Sequence, residues 1–202
     1  MIPDLYYSLE PGAKAPERAS RNAAGYDLFA YEKTIIEPGK TLLISTGVRF
    51  AIPPGYEAQV RPRSGLSFRT QLLITNSPGT IDADYRGLVS VICENTASLA
   101  DPYVYLQEHP DLIDSFTQLY HPVVMAHYYR ENHGLTLPFG LPDVKVFLDR
   151  DGYPLGTIFI EEGERIAQLI FSKIEYPKLV PVDDVSLIGN DRGGGFGSTG
   201  KL

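Results

Sequence analysis

The sequence predicts an all-β fold, an antiparallel sandwich or jelly roll. From Leu28 to Val60, short apolar stretches alternate with turns that contain proline and glycine, such as EPGK at residues 37–40 and PPG at residues 53–55. Strands bounded by such turns every ten to fifteen residues or so are typical of this architecture. No long stretch with the helical period of about 3.6 residues precedes residue 110.

The composition excludes several classes of protein. Hydrophobic content of 43% is ordinary for a globular chain, and the apolar runs are far shorter than a membrane span of about 20 residues. A net charge of −7 argues against general nucleic-acid binding, which needs a basic face. The first residues lack the pattern of a signal peptide, and a lone Cys93 rules out an internal disulfide. We therefore expect a cytoplasmic protein with neither nucleic acid nor membrane as partner, and Cys93 as a buried, inert thiol.

The stretch NSPGTIDADYRG, residues 76–87, organises the rest of the chain. Proline and glycine constrain its backbone, and LVSVIC after it predicts a buried strand. Asp82 and Asp84 lie two residues apart, so on an extended segment they share a face while Tyr85 points to the other. Read alone, this stretch fits a surface hairpin with two solvated acids as well as a catalytic site.

Four further stretches combine turn residues with chemistry in the same way. They are AAGYDLFA at residues 23–30, RPRSGLSF at 61–68, GERIAQLIF at 163–171 and RGGGFGSTG at 192–200. The second brings together a guanidinium, a hydroxyl and a glycine amide, which are the groups that bind phosphate oxygens. Read alone and taken in chain order, these four stretches also fit a tight bend, a basic turn, a paired strand and a disordered tail, respectively.

The last stretch imitates a P-loop. Residues 195–201 match the first positions of that motif, but Leu202 stands where Ser or Thr is required. A Walker-type NTPase is therefore excluded. Phe196 amid glycines, with Arg192 upstream, predicts a lid that is mobile when empty and ordered over a ligand.

In this order the five stretches resemble the trimeric dUTPase family, the dUTP nucleotidohydrolases. The resemblance covers residues 1–96 and 157–202, and it implies a homotrimeric jelly roll with active sites at the subunit interfaces. It further implies hydrolysis of dUTP to dUMP and pyrophosphate by water attack at the α-phosphate, with Mg²⁺ held mainly by the substrate phosphates. We divide the chain into a jelly-roll core (1–96 and 157–191), an inserted subdomain (97–156) and a flexible glycine-rich lid (192–202).

The resemblance also implies roles for individual residues. Asp82 is the catalytic base that orients and deprotonates the attacking water, and Asp27 supports the hydrated magnesium indirectly, through water. Tyr85 packs on the sugar and excludes a 2′-hydroxyl. The other substrate-binding residues are Arg63, Ser64, Gly65 and Gln168 at the phosphates, Asn76, Gly79, Thr80 and Ile81 at the uracil, and Arg192, Phe196, Gly197, Ser198 and Thr199 in a neighbouring subunit's lid.

Residues 97–156 have no counterpart in the resemblance. Pro110 and an apolar stripe predict a helix that Pro122 restarts or kinks, with a stop at His133–Gly134 and then a hairpin around Asp151–Gly152. The segment holds eight acids against three bases, all four histidines and six tyrosines. The histidine spacing lacks an i, i+4 pair and favours packing over metal binding. The acidic, tyrosine-rich surface favours a protein partner, while added subunit contacts and a passive spacer stay open.

Two other functions are compatible with parts of the pattern. dCTP deaminase shares the fold of the resembled family, but it carries a catalytic glutamate at the position that Ile92 occupies here. A nucleotide-sensing module that signals through residues 97–156 is the non-enzymatic alternative, and an intact set of catalytic motifs disfavours it.

Overall fold

The computed structural model describes residues 4–99, 101–138 and 144–190. Its body is a pair of four-stranded antiparallel sheets, with strand orders β1-β4-β8-β6 and β2-β12-β5-β7. The strands are β1 (Tyr6–Leu9), β2 (Tyr26–Phe29), β3 (Thr34–Ile36), β4 (Thr41–Ala51), β5 (Tyr56–Arg61), β6 (Leu72–Ile74), β7 (Gly79–Ile81), β8 (Val89–Asn95), β9 (His121–Val124), β10 (Lys145–Leu148), β11 (Ile158–Ile160) and β12 (Arg165–Lys173). Two smaller pairs, β3 with β11 and β9 with β10, complete the sheets of the described ranges.

One hydrophobic core joins the two large sheets. It includes Ile44 and Val91 from the first sheet and Leu28, Ala58 and Leu169 from the second, all of them buried. Burial alternates strictly along β8, as expected of a strand with one face in the core. The predicted all-β fold is therefore confirmed.

Cys93 lies in this core. It is fully buried on β8, and burial raises the pKa of its thiol to about 12. The prediction of a buried, inert thiol is confirmed, because the reactive thiolate is scarce at neutral pH.

Four helices and two 3₁₀ turns accompany the strands in the described ranges. The helices are α1 (Ser64–Arg69), α2 (Pro102–Glu108), α3 (Phe116–Leu119) and α4 (Met125–His133), and the 3₁₀ turns are Pro110–Ser115 and Val185–Leu187. Every helix in the part of the chain that the structure describes is too short or too polar to span a bilayer.

The helix predicted from Pro110 is only partly correct. The chain forms a 3₁₀ turn and the short α3, and Pro122 then lies in strand β9 opposite Phe147, so the predicted restart or kink of a helix at Pro122 is wrong. The physical reason is that a residue before proline is driven to extended conformation, which makes His121 the start of a strand. The stop is confirmed, since α4 ends at His133 and Gly134 caps it in the left-handed region with φ 63°.

The turn predicted at Asp151–Gly152 is present. The amide of Gly152 donates to the carbonyl of Asp149, and the amide of Asp149 donates to the carbonyl of Tyr153. The strand before this turn pairs with β9, however, whereas the residues after the turn add only a single bridge between Leu148 and Pro154.

A second, smaller hydrophobic cluster lies between α4, β9 and β10. Its centre is Tyr128, 2% exposed, together with Val146 and Leu148. The Tyr128 hydroxyl donates to Glu37 Oε2 at 2.9 Å, and Glu37 lies in the turn between β3 and β4. Burial, followed by the bond to Glu37, raises the pKa of Tyr128, so its hydroxyl stays protonated and donates. This cluster is therefore fixed to the main body by a partly buried hydrogen bond.

Asn95, at the end of β8, binds both ends of the excursion made by residues 97–156. Its side chain is fully buried, and Nδ2 donates to the carbonyls of Ile36 and Gly156, each at 2.8 Å. Its Oδ1 accepts from the amide of Ala97 at 3.0 Å. The chain thus leaves the body and returns to it within reach of one amide side chain.

Candidate active site

Three polar residues form a row across the sheet that contains β2, β12 and β5. Gln168 on the central strand β12 pairs with Asp27 on β2 and with Arg61 on β5. Directly paired residues project from the same face of a sheet. The neighbouring Leu28 and Ala167 point into the core, so the row lies on the outer face.

Asp27 is a buried carboxylate held between two guanidinium groups. It is 8% exposed, and its Oδ1 accepts from Arg63 Nε at 2.9 Å. Its Oδ2 accepts from Arg165 Nη1 at 3.4 Å. The side-chain hydrogen bonds of Asp27 within the described residues are therefore with arginines, and burial of the charge is compensated by that pairing.

The segment before α1 is anchored to β12. Gln168 Nε2 donates to the carbonyl of Pro62 at 2.8 Å, and Arg63 Nη1 donates to the carbonyl of Arg165 at 3.3 Å. Ser64 and Gly65, which follow as the first residues of α1, are exposed. The Ser64 hydroxyl and the Gly65 amide are expected to bind phosphates. They directly follow a segment that these hydrogen bonds fix to β12.

No role was predicted for Arg165, which also belongs to this group. Arg165 and Gln168 are three positions apart, which in a regular strand places their side chains on opposite faces. The β12–β2 register shifts between Arg165 and Ala167, and this bulge turns Arg165 to the face of Asp27 and Gln168. The spacing of residues in the sequence does not reveal such a bulge, so it could not predict the direction of the Arg165 side chain.

The second group of site residues lies around β7. Asp82 follows this strand and begins a turn in which the amide of Tyr85 donates to the carbonyl of Asp82 at 3.2 Å. The expectation that Asp82 and Asp84 share one face of an extended segment is therefore wrong. Arg86 explains the bend, because its guanidinium donates to the carbonyls of Ala83 and Tyr85 and fixes the turn.

Asn76 and Gly79 pack together at the start of β7. Gly79 is buried, and a Cβ there would approach Asn76 Nδ2 to 2.9 Å. Only glycine therefore lets the Asn76 side chain lie against the backbone at this point.

A cleft of about 170 Å³ adjoins the turn. Asp82 and Tyr85 line it, both exposed, and the Tyr85 hydroxyl is tethered to the carbonyl of Leu88 at 2.9 Å. The other lining residues are Thr80, Ile81, Leu88, Val89 and Ser90.

One chain does not bring the two groups together. β5 pairs Val60 with Gly79 and Ala58 with Ile81, so β7 runs away from Arg61 toward the other end of β5. Three residues of strand span roughly 10 Å. Asp82 and the group around Asp27 therefore lie at opposite ends of β5 in the same subunit.

The lid residues Arg192, Phe196, Gly197, Ser198 and Thr199 lie outside the described residues. Their assignment remains a prediction from the sequence.

Comparisons with known proteins bear on the identity of these motifs. A family model described as dUTPase matches residues 12–99 and 154–200. The deoxyuridine 5′-triphosphate nucleotidohydrolase of Chlamydia caviae is 53% identical over 89 residues, which cover 43% of this chain and 60% of that enzyme. The match thus spans less than two thirds of that relative. The enzyme of the same name from Nautilia profundicola is 31% identical over 194 residues, covering 96% of this chain and 95% of that one.

A solved structure has the same fold. It is an aspartate-to-asparagine variant of the dUTPase from phage phi11 of S. aureus, described with a structural Mg(II) ion. The TM-score is 0.62 at 28% identity, and the alignment covers 91% of this chain and 99% of that chain. The residues matched by the family model include Asp27, Arg63, Asp82 and Gln168. The chain therefore belongs to the dUTPase family, the enzymes that hydrolyse dUTP.

Proposed function

We propose that the chain hydrolyses dUTP to dUMP and pyrophosphate, with Asp82 as the general base for water attack at the α-phosphate. The observation that carries this assignment is the exposed Asp82 carboxylate in a cleft beside Tyr85, on a turn fixed by backbone hydrogen bonds. A general base must reach the water that it deprotonates, and a fixed turn orients it toward that water. Tyr85, tethered to Leu88, forms the neighbouring wall and excludes a 2′-hydroxyl.

The complete site lies between subunits of a homotrimer. The separation of Asp82 from Arg63 along β5 supports this, because a second subunit can supply the group that one chain holds too far away. Residues 175–190 also support it. Several large apolar side chains in this segment are exposed, and a neighbouring subunit would cover them: Tyr176, Leu179, Val185, Leu187 and Ile188. The predicted lid follows directly after this segment.

Magnesium fits the site as an ion held mainly by the substrate phosphates. Among the described residues no three histidine, cysteine or acidic side chains converge, and Mg²⁺ commonly binds with few protein ligands plus substrate phosphates and water. Each Asp27 oxygen already accepts from a guanidinium, which leaves Asp27 an indirect role through water. When bound, the ion would neutralise phosphate charge. Arg63, Ser64 and Gly65 would hold the phosphates around it.

A release assay across nucleotides tests the activity. We expect pyrophosphate from dUTP and little from dCTP, dTTP or UTP, because β7 and the segment before it read uracil and Tyr85 rejects ribose. Ammonia release from dCTP would overturn the proposal in favour of a deaminase. Ile92 argues against that outcome, since it supplies no carboxylate where that reaction needs one.

We also propose that residues 97–156 form a separate subdomain that contacts a protein partner. Tyr103, Val104 and Ile113 are exposed apolar side chains close in sequence to the acids Glu108 and Asp111. Aromatic and apolar side chains with a charged rim are typical of protein interfaces. The cytoplasm remains the expected location.

Replacing residues 98–155 by a four- to six-residue turn tests this second proposal. We expect a shortened trimer with dUTP turnover within about twofold of the full chain, because the cost of loop closure changes slowly with length. Sedimentation equilibrium and the pyrophosphate assay measure both properties, and pull-downs with the two chains compare their partners. Loss of turnover or of the trimer would place the segment within the enzyme itself and refute the partner role.

A further inference from the structure

We propose that a cavity between the main body and the inserted segment binds a nucleotide at a second site, with the base against aromatic rings and the phosphate at Arg69. The cavity has a volume of about 940 Å³, within the range of small-molecule sites. Its lining comes from α1 and the residues that join α1 to β6, from α2, and from β11 with the residues just before it. None of the described residues assigned to the candidate active site lines this cavity.

The inserted segment closes the cavity against the main body. Gln71 Nε2, just before β6, donates to Glu108 Oε2 on α2 at 2.8 Å. At Gly156, where φ is 85°, a Cβ would come within 3.1 Å of the Ala97 Cβ and 3.5 Å of Tyr105 Cδ2. Glycine at this position therefore lets α2 lie close to the returning chain. The hydrogen bond and this close packing fix α2 beside the body, so the cavity is formed before any ligand binds.

Aromatic rings are the first observation that points to the ligand. Phe68 on α1 is 92% exposed, and Phe159 on β11 is 44% exposed. At the end of α2, the rings of Tyr105 and His109 lie with their centroids 4.4 Å apart and their planes at 33°. Exposed aromatic faces bind planar ring systems by stacking, and every nucleobase offers such a face. The lining therefore suits a nucleobase.

An unpaired acceptor is the second observation. Gln71 lines the cavity, and its Oε1 is buried without a hydrogen-bond partner among the described residues. The other end of this amide is already committed to Glu108, so the amide cannot reverse without losing that bond. A carboxylate accepts several hydrogen bonds, so Glu108 keeps capacity for another donor. Gln71 and Glu108 together offer acceptors to the N–H groups on the edge of a base.

The third observation is a cation that has no acidic partner. Arg69 lies in the last turn of α1 and lines the cavity, and its side chain is exposed. The ion pairs found among the described residues do not include it. A guanidinium binds phosphate oxygens through paired N–H donors. A ligand that combines a planar ring, N–H donors and an anionic group is a nucleotide.

Titration calorimetry tests this site with AMP, GMP and CMP. Each is added to the full chain with the candidate active site occupied by a non-hydrolysable imido analogue of dUTP. Ribonucleotides are chosen because Tyr85 is proposed to exclude a 2′-hydroxyl from that other site. We expect at least one of the three to bind. Phe68→Ser and Gln71→Leu should each weaken this binding by about 5- to 20-fold, the loss of a stacked ring or of a hydrogen bond.

Arg69→Gln separates the phosphate from the base. It should weaken the nucleotide that binds by about 10- to 100-fold, the loss of a charge-assisted hydrogen bond, and change the affinity of the parent nucleoside by less than about twofold. Tyr103→Ser is the matched control, because Tyr103 is an aromatic residue of α2 that is 76% exposed and lies outside the cavity lining. It should leave binding unchanged. Thermal melts of all the variants show that lost binding is not unfolding, and the exposed Phe68 should be replaced without a shift in midpoint.

Three outcomes would overturn the second site. They are no binding of any of the three nucleotides, binding that Phe68→Ser and Gln71→Leu leave unchanged, and equal losses of nucleotide and nucleoside in Arg69→Gln. The site does not depend on dUTP turnover. If the imido analogue itself does not bind, the proposed function fails, and the same titrations without it still decide the second site.

Discussion

Asp82→Asn is expected to lower kcat for dUTP by about 100- to 10,000-fold, the usual contribution of a general base. The amide has the size and shape of the carboxylate, and the hydrogen bond between the backbone of Asp82 and Tyr85 does not depend on the side chain. The turn should therefore persist while the proton acceptor is lost. Affinity for the imido analogue of dUTP should stay close to that of the unchanged protein, because the binding groups remain.

Asp84→Asn is the matched control. Asp84 is exposed, lies in the same turn and loses the same charge, yet no described contact brings it to the cleft. Its kcat should remain within about threefold of the original, far from the effect of a lost base. If Asp82→Asn kept more than about a tenth of the original rate, another group would be the base.

Asn95→Ala is expected to destabilise the protein by about 3 kcal/mol or more. The substitution leaves the carbonyls of Ile36 and Gly156 and the amide of Ala97 without their partner in a buried place. Each such group costs about 1–3 kcal/mol. About 1 kcal/mol shifts the midpoint of thermal unfolding of a chain of this size by about 2–4 °C. A loss of about 3 kcal/mol should therefore lower that midpoint by roughly 6–12 °C.

Asn22→Ala controls for the loss of an amide side chain in general. Asn22 is exposed, so its replacement should move the midpoint by less than about 2 °C. Circular dichroism melts of the three proteins provide the measurement. A midpoint for Asn95→Ala indistinguishable from that of Asn22→Ala would mean that water replaces the lost bonds and that Asn95 is not essential to the junction.

Much of the fold could be predicted because it depends on short-range patterns. Alternating burial and turns with proline and glycine predict strands such as β8, and the apolar run around Cys93 predicts its burial. The prediction at Pro122 is wrong because a proline that ends a helix and a proline at the start of a strand have the same local signature. The strand that pairs with it, β10, begins more than twenty residues later along the chain.

The sequence predicts which residues form the candidate site better than it predicts how they are arranged in space. Motifs identify Asp82 and Arg63, but the turn at Asp82 depends on hydrogen bonds from the Arg86 guanidinium to backbone carbonyls, which no spacing predicts. The contact of Arg165 with Asp27 could not be predicted, because the direction of the Arg165 side chain is set by a bulge in the pairing of β12 with β2. Those two strands are far apart in the sequence. Contacts between distant segments, and between subunits, are not encoded in any local period.

The junction at Asn95 has an evolutionary consequence. Because one side chain binds the departing Ala97 and the returning Gly156, the length and composition of the intervening segment can drift without altering the register of β8 or β11. We infer that a segment inserted at this junction can change in length while the two large sheets keep their arrangement. The family model matches residues 12–99 and 154–200, the parts of the chain on either side of this junction.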